Sequence, residues 1–161
     1  MNKIIDKYKI FGRKKGRKKF QSIDYNFINN YLLNLDTDFD NKKVILDIGS
    51  GKGENTIYLA QKFPEKLIIA CEIYIDGNID LSNQLVEKKI NNVKIFNQNI
   101  LILLENTSLK ILLDEIWILF PDPWPKKKHK KRRLINDAFF TKVNSKLVFG
   151  GKITIVTDSI S

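Results

Sequence analysis

Apolar and polar positions divide the chain into short blocks whose period changes from one block to the next. Val44-Ile45-Leu46-Asp47-Ile48 and Leu67-Ile68-Ile69-Ala70-Cys71 are nearly continuous apolar runs, as expected of parallel strands buried on both faces. Val93-Lys94-Ile95-Phe96, Ile116 to Phe120 and Lys152 to Thr157 predict three further strands. Between them the pattern predicts helices over 54–63, near 76–90, near 100–106 and near 134–147. Gly150-Gly151 reads as a turn into the fifth strand. Upstream, Ile23, Phe27, Ile28, Tyr31, Leu32 and Leu35 fall at helical spacing. Alternating strands and helices with short connections imply an α/β fold, a mostly parallel sheet with helices on both faces.

Charge then separates the chain into parts. Residues 1–20 carry nine Lys/Arg against Asp6, and residues 126–133 carry seven with no acid. Elsewhere twelve basic residues face seventeen acids, a net of −5. Two concentrated basic patches on an acidic body describe a docking surface for a polyanion. Residues 1–22, with Gly12 and Gly16, read as a basic mobile arm, and 23–161 as one domain. Neither patch has the apolar stripe of an interfacial helix, and no apolar run approaches the ~20 residues that span a bilayer. A nucleic acid is therefore the expected partner, with no membrane. Cys71 is the sole cysteine. With no secretory leader visible, it points to a reducing compartment, the cytoplasm, and reads as a small buried strand residue.

Asp47-Ile48-Gly49-Ser50-Gly51-Lys52-Gly53 follows a strand and opens a helix. Glycines there let the chain turn tightly and let a ligand approach the backbone. Glu72 ends the next strand, 19 residues beyond Gly53, where an acid can accept both ribose hydroxyls of an adenosine. The spacing is G-x-G-x-G, not the dinucleotide pattern G-x-G-x-x-G, which favours S-adenosylmethionine over a pyrophosphate cofactor. Asn99 closes the third strand, where an amide can accept from an adenine amine or simply form a turn.

The fourth strand runs into Phe120-Pro121-Asp122-Pro123-Trp124-Pro125, then Lys126-Lys127-Lys128-His129-Lys130-Lys131-Arg132-Arg133. Proline fixes φ and restricts its predecessor, so Asp122 is held in a stiff extended turn beside a phosphate-binding run. Lys126 to Arg133, aided by Arg13 to Lys19, would hold phosphates. Trp124 could stack on a base or pack the loop down. His129 lacks the Cys, His or acid neighbours of a metal site, so no metal is expected.

Together these motifs resemble the bacterial-type tRNA (guanine-N7-)-methyltransferase family. The elements that carry the resemblance are Asp47 to Gly53, Glu72, Phe120 to Lys126, His129 to Leu134, and Thr157-Asp158. It covers roughly residues 12–161. It implies a Rossmann-like S-adenosylmethionine-dependent fold that methylates N7 of a guanine in the tRNA variable loop. Carried over by position, Asp47, Gly49, Gly51, Glu72 and Asn99 would contact the cofactor. Asp122 would be catalytic, Lys126 and Asp158 would contact the target nucleotide, and Lys127, Lys128, Lys130, Lys131, Arg132 and Arg133 would meet tRNA phosphates. Asn99 stands where bacterial members usually have Asp. Members also continue for some tens of residues past the fifth strand with two more strands, so the resemblance implies a fold with its C-terminal strands missing. The fifth strand would then be an open edge at which chains could pair. The competing readings are a truncated, inactive tRNA-binding module, a methyltransferase for a small molecule or protein, and a nicotinamide-dependent oxidoreductase. The seven basic residues disfavour the second and the glycine spacing the third.

Overall fold

The computed structural model of the chain describes Tyr8, residues 28–36, Phe39, residues 42–107 and residues 110–158. Five parallel strands form one sheet in the order β3-β2-β1-β4-β5. They are β1 (Val44–Ile48), β2 (Leu67–Cys71), β3 (Val93–Phe96), β4 (Leu113–Leu119) and β5 (Leu147–Val156). The helices are α1 (Glu54–Lys62), α2 (Ile75–Glu87), α3 (Ile100–Glu105) and α4 (Asp137–Asn144), with a 3-10 helix over Lys127–Arg132.

The apolar strand runs supply both faces at once. Val44, Leu46 and Ile48 of β1 join Ile69, Phe96 and Ile116 in one cluster, covered by Ile100 and Leu103 of α3 and Phe139 and Val143 of α4. Ile45, Ile68, Ala70 and Ile95 form the opposite cluster with Ile57 and Leu59 of α1 and Leu81 and Leu85 of α2. Fully buried aliphatic side chains such as Leu59, Leu81 and Leu103 stabilise the layers by roughly 1.5–3 kcal/mol each. The expected α/β sandwich is thus present, with helices on both faces.

Four element boundaries differ from the sequence expectation. Leu32 forms a parallel bridge with Ile95, and the Leu33 N–H donates to the Ile95 carbonyl at 2.8 Å. The expected 23–35 helix therefore becomes strand-like after Tyr31, and its first five residues lie outside the described ones. β4 starts three residues early, at Leu113, where Asp114 accepts from the Val44 N–H at 2.7 Å. α4 begins only at Asp137, because Asn136 caps it by accepting from the Phe139 N–H at 3.0 Å. Gly150-Gly151 is no turn: both glycines lie inside β5. There β4 advances from Leu113 to Glu115 while β5 advances from Leu147 to Lys152, a bulge enabled by Gly150 at φ +77°. β5 is the outer strand, and no described strand pairs with its far side. The arm of residues 1–22 lies outside the described residues except for Tyr8.

Candidate active site

In a doubly wound sheet, ligands bind beyond the carboxyl ends of the strands, where the winding reverses. Here the reversal lies between β1 and β4, and a cleft of about 560 Å³ opens there. Each adjoining strand end contributes: Ile48 and Gly49 after β1, Cys71 and Glu72 after β2, Gln98 and Asn99 after β3, Ile118 to Phe120 from β4.

The glycine loop is folded tightly against β2. The Gly49 N–H donates to the Cys71 carbonyl at 2.8 Å, and Gly49, Gly51 and Gly53 all have positive φ. A Cβ on Gly53 would stand 2.4 Å from Leu81 Cδ1, so this residue lets α1 approach α2. A Cβ on Gly49 would meet nothing within 4 Å, which leaves open space beside the backbone at the cleft. Glu72 is fixed by three backbone donors: Ile73 at 2.7 Å and Tyr74 at 2.9 Å on Oε1, and Gly51 at 3.1 Å on Oε2. A carboxylate has about four acceptor sites, so Oε2 keeps one for a ligand hydroxyl. Asn99 caps α3, accepting from the Leu101 N–H at 3.0 Å, and its half-buried side chain also lines the cleft.

Asp47 lies beneath the loop and does not line the cleft. It is 1% exposed, and its carboxylate accepts from Asn55 Nδ2 at 3.0 Å and Thr56 Oγ1 at 2.7 Å. Burial pushes its carboxyl above the usual range, the Thr56 and Asn55 hydrogen bonds hold back part of that rise, and the charge of Glu72 adds to it. In this arrangement Asp47 ties β1 to the first turn of α1. Gly51 likewise stands outside the lining and acts through its N–H on Glu72.

The opposite wall is the proline-flanked loop. Its anchor is the Phe120 N–H, which donates to the Val156 carbonyl at 2.7 Å. Phe120 and Trp124 adopt left-handed backbone at φ +49° and +39°, a costly conformation for bulky residues that clusters at functional sites. Between them Asp122 is exposed on the cleft wall. The basic run divides in two. Lys131, Arg132 and Arg133 line the cleft, whereas Lys126, Lys127, Lys128 and Lys130 face outward from the 3-10 helix. The Arg133 Nε is buried with no hydrogen-bond partner among the described residues. Asp158 is exposed two residues beyond β5, and like Lys126 it stands outside the lining.

Among the lining residues that the sequence did not single out are Tyr8, Gln98, Asn136 and Lys142. The Tyr8 hydroxyl donates to Glu105, which also takes Lys142 Nζ at 3.0 Å. An aromatic between Lys7 and Lys9 was the only available signal for it. Among the described residues no His, Cys, Asp and Glu group could hold a metal ion. No described helix is long and apolar enough to cross a membrane.

The sequence model of a family described as "Putative methyltransferase" matches residues 41–161. The chain is 32% identical over 156 residues to a tRNA (guanine-N(7)-)-methyltransferase of Neorickettsia sennetsu, covering 92% of this chain and 68% of that protein. The chain belongs to this methyltransferase family. A second member, from Nitrosomonas europaea, is 40% identical over 114 residues, which are 71% of this chain and 51% of its own. The chain thus spans about two thirds of one relative and half of the other. Among solved structures, an rRNA methylase from Streptococcus thermophilus superposes with a TM-score of 0.51 at 18% identity, over 89% of this chain and 74% of that one. That likeness agrees with the Rossmann-like methyltransferase fold seen here.

Proposed function

We propose that the protein transfers a methyl group from S-adenosylmethionine to N7 of a guanine in tRNA, within the cytoplasm. One observation carries this reading: a single cleft joins the glycine loop and Glu72 at one end to Asp122 and Lys131, Arg132 and Arg133 at the other. Family membership supplies the reaction class, and its relatives are tRNA methyltransferases by name.

The residues fit a nucleoside cofactor. The open face of Gly49 leaves room at the backbone, Oε2 of Glu72 can accept a ribose hydroxyl, and Asn99 keeps an amide group toward an adenine. When bound, S-adenosylmethionine supplies an electrophilic methyl on a sulfonium. Guanine N7 carries an exposed lone pair, so no side chain has to remove a proton from it. What remains for the chain is alignment, which converts a bimolecular step into an effectively unimolecular one. Asp122 orients the guanine edge and stabilises the positive charge that grows on the purine. Arg132 and Arg133 hold phosphates inside the cleft, and Lys126, Lys127, Lys128 and Lys130 hold the tRNA outside it. Asp158, beyond the neighbouring strand end, approaches the target nucleotide from the rim. The open side of β5 is where a second chain would pair.

The deciding experiment is methyl transfer from labelled S-adenosylmethionine to bulk tRNA, with N7-methylguanosine sought among the digested nucleosides. Label in N7-methylguanosine supports the reading. Label in another nucleoside, or tRNA bound without transfer, overturns it.

A further inference from the structure

Trp124 belongs to neither apolar cluster, yet it is half-buried on the cleft wall two residues after Asp122. Its ring contacts come from the 3-10 helix. The Arg132 guanidinium carbon stands 5.0 Å from the ring centroid, and His129 meets the ring edge-on at 5.6 Å and 86°. A 3-10 helix eclipses residues three apart, which is why His129 and Arg132 reach the same indole. The left-handed backbone of Trp124 and the prolines on either side fix the ring where it stands.

We propose that Trp124 is the stacking surface for the target guanine, and that Arg132 covers it in the substrate-free protein. This rests on the reading of the cleft as a tRNA methylation site. A cation over a partly exposed aromatic ring shifts an equilibrium by roughly 2- to 5-fold. A base stacked on such a ring shifts it by roughly 5- to 150-fold, so an arriving purine displaces the guanidinium. Arg132 then turns to a phosphate of the same nucleotide, so its charge stays next to an anion or a π face throughout. The planar guanidinium suits both tasks, whereas a lysine ammonium suits only the second.

The test uses the full chain. Trp117 and Trp124 are the two tryptophans, so Trp117→Phe leaves Trp124 as the fluorescent reporter. Guanosine, which lacks a phosphate, and tRNA should both quench its emission. Trp124→Leu should weaken tRNA binding about 5- to 150-fold without changing its salt dependence, and Trp124→Phe should restore most of the loss. Arg132→Gln should reduce the salt slope of tRNA binding by about one while binding guanosine as tightly as before or about 2- to 5-fold more tightly. If Trp117→Phe does not fold, filter binding with the native tryptophans reads the same affinities. Unchanged tRNA affinity in Trp124→Leu, or weaker guanosine binding in Arg132→Gln, overturns the proposal while leaving the methyltransferase reading intact. If the unaltered protein does not bind tRNA, both are overturned.

Discussion

Gly77 is the third residue of α2, and the structure gives the cost of filling its side. A Cβ there would stand 2.2 Å from the Gly51 carbonyl oxygen and 2.9 Å from its carbon. The nearer contact is ~1.3 Å inside the ~3.5 Å van der Waals optimum. Helix propensity alone favours Ala over Gly by at most ~1 kcal/mol. Against that stands overpacking, which costs about 1–3 kcal/mol when side chains can give way; here the obstacle is backbone, so the upper end applies. Any shift of Gly51 also strains its N–H bond to Glu72 Oε2, worth about 1 kcal/mol. Gly77→Ala is therefore expected to lose about 2–3 kcal/mol in urea unfolding, and to weaken S-adenosylmethionine at least tenfold by calorimetry. Gly150→Ala is the control. Its φ of +77° also strains an alanine, but the Cβ faces open space in β5, so stability should fall while cofactor affinity stays. If Gly77→Ala matches the parent in both stability and cofactor affinity, α2 does not set the position of the glycine loop.

Asp122→Ala should leave the urea midpoint within ~0.5 kcal/mol of the parent, because the side chain is exposed. It should slow single-turnover methyl transfer by about 10²-fold at unchanged cofactor affinity; an equal loss of cofactor affinity would contradict a positioning role. Glu115 is paired with Lys66 at 2.8 Å, with side chains 21% and 14% exposed, and Glu115→Gln should cost about 1 kcal/mol at neutral pH. The Lys66 hydrogen bond is the main cause holding the Glu115 carboxyl below its ordinary 4.5. Its stabilisation is thus present above that value and disappears as pH falls through the lower folded-state one; a parent–variant gap that persists in acid would refute this. Burial, then the charges of Glu72 and Asp47, push the Cys71 thiol far up. Iodoacetamide at mildly alkaline pH should label Cys71 only after unfolding, and rapid labelling of the folded chain would show the cleft floor to be open.

The parallel sheet and its two-sided core were legible because a strand buried on both faces leaves a nearly continuous apolar run, as β1 and β2 do. β5 was harder. Gly150-Gly151 signals a turn in any local reading, yet an outer strand pairs on one side only and can absorb a bulge that a central strand could not. Leu134 and Ile135 were assigned to a helix for their apolar character. They do pack on the core, but ahead of the helix, since Asn136 receives the Phe139 N–H and starts the helix later. Apolarity placed them at the right layer and said nothing of their backbone.

The site divides along the same line. The place of Asp122 on the cleft wall was legible because two prolines constrain its backbone locally, whatever packs around it. Asp47 was not, because its role depends on which way its oxygens face. A strand-end acid beside a glycine loop reads as a ligand contact, but the polar pair Asn55 and Thr56 in the next turn of helix supplies two donors that draw the carboxylate under the loop. A like ambiguity governed the basic run: composition assigned all seven cations to phosphates, whereas the fold brings Lys131, Arg132 and Arg133 to the cleft and leaves Lys126, Lys127, Lys128 and Lys130 outside it. Charge in a sequence therefore points to a polyanion as partner, and only the fold shows which of those charges line the cleft.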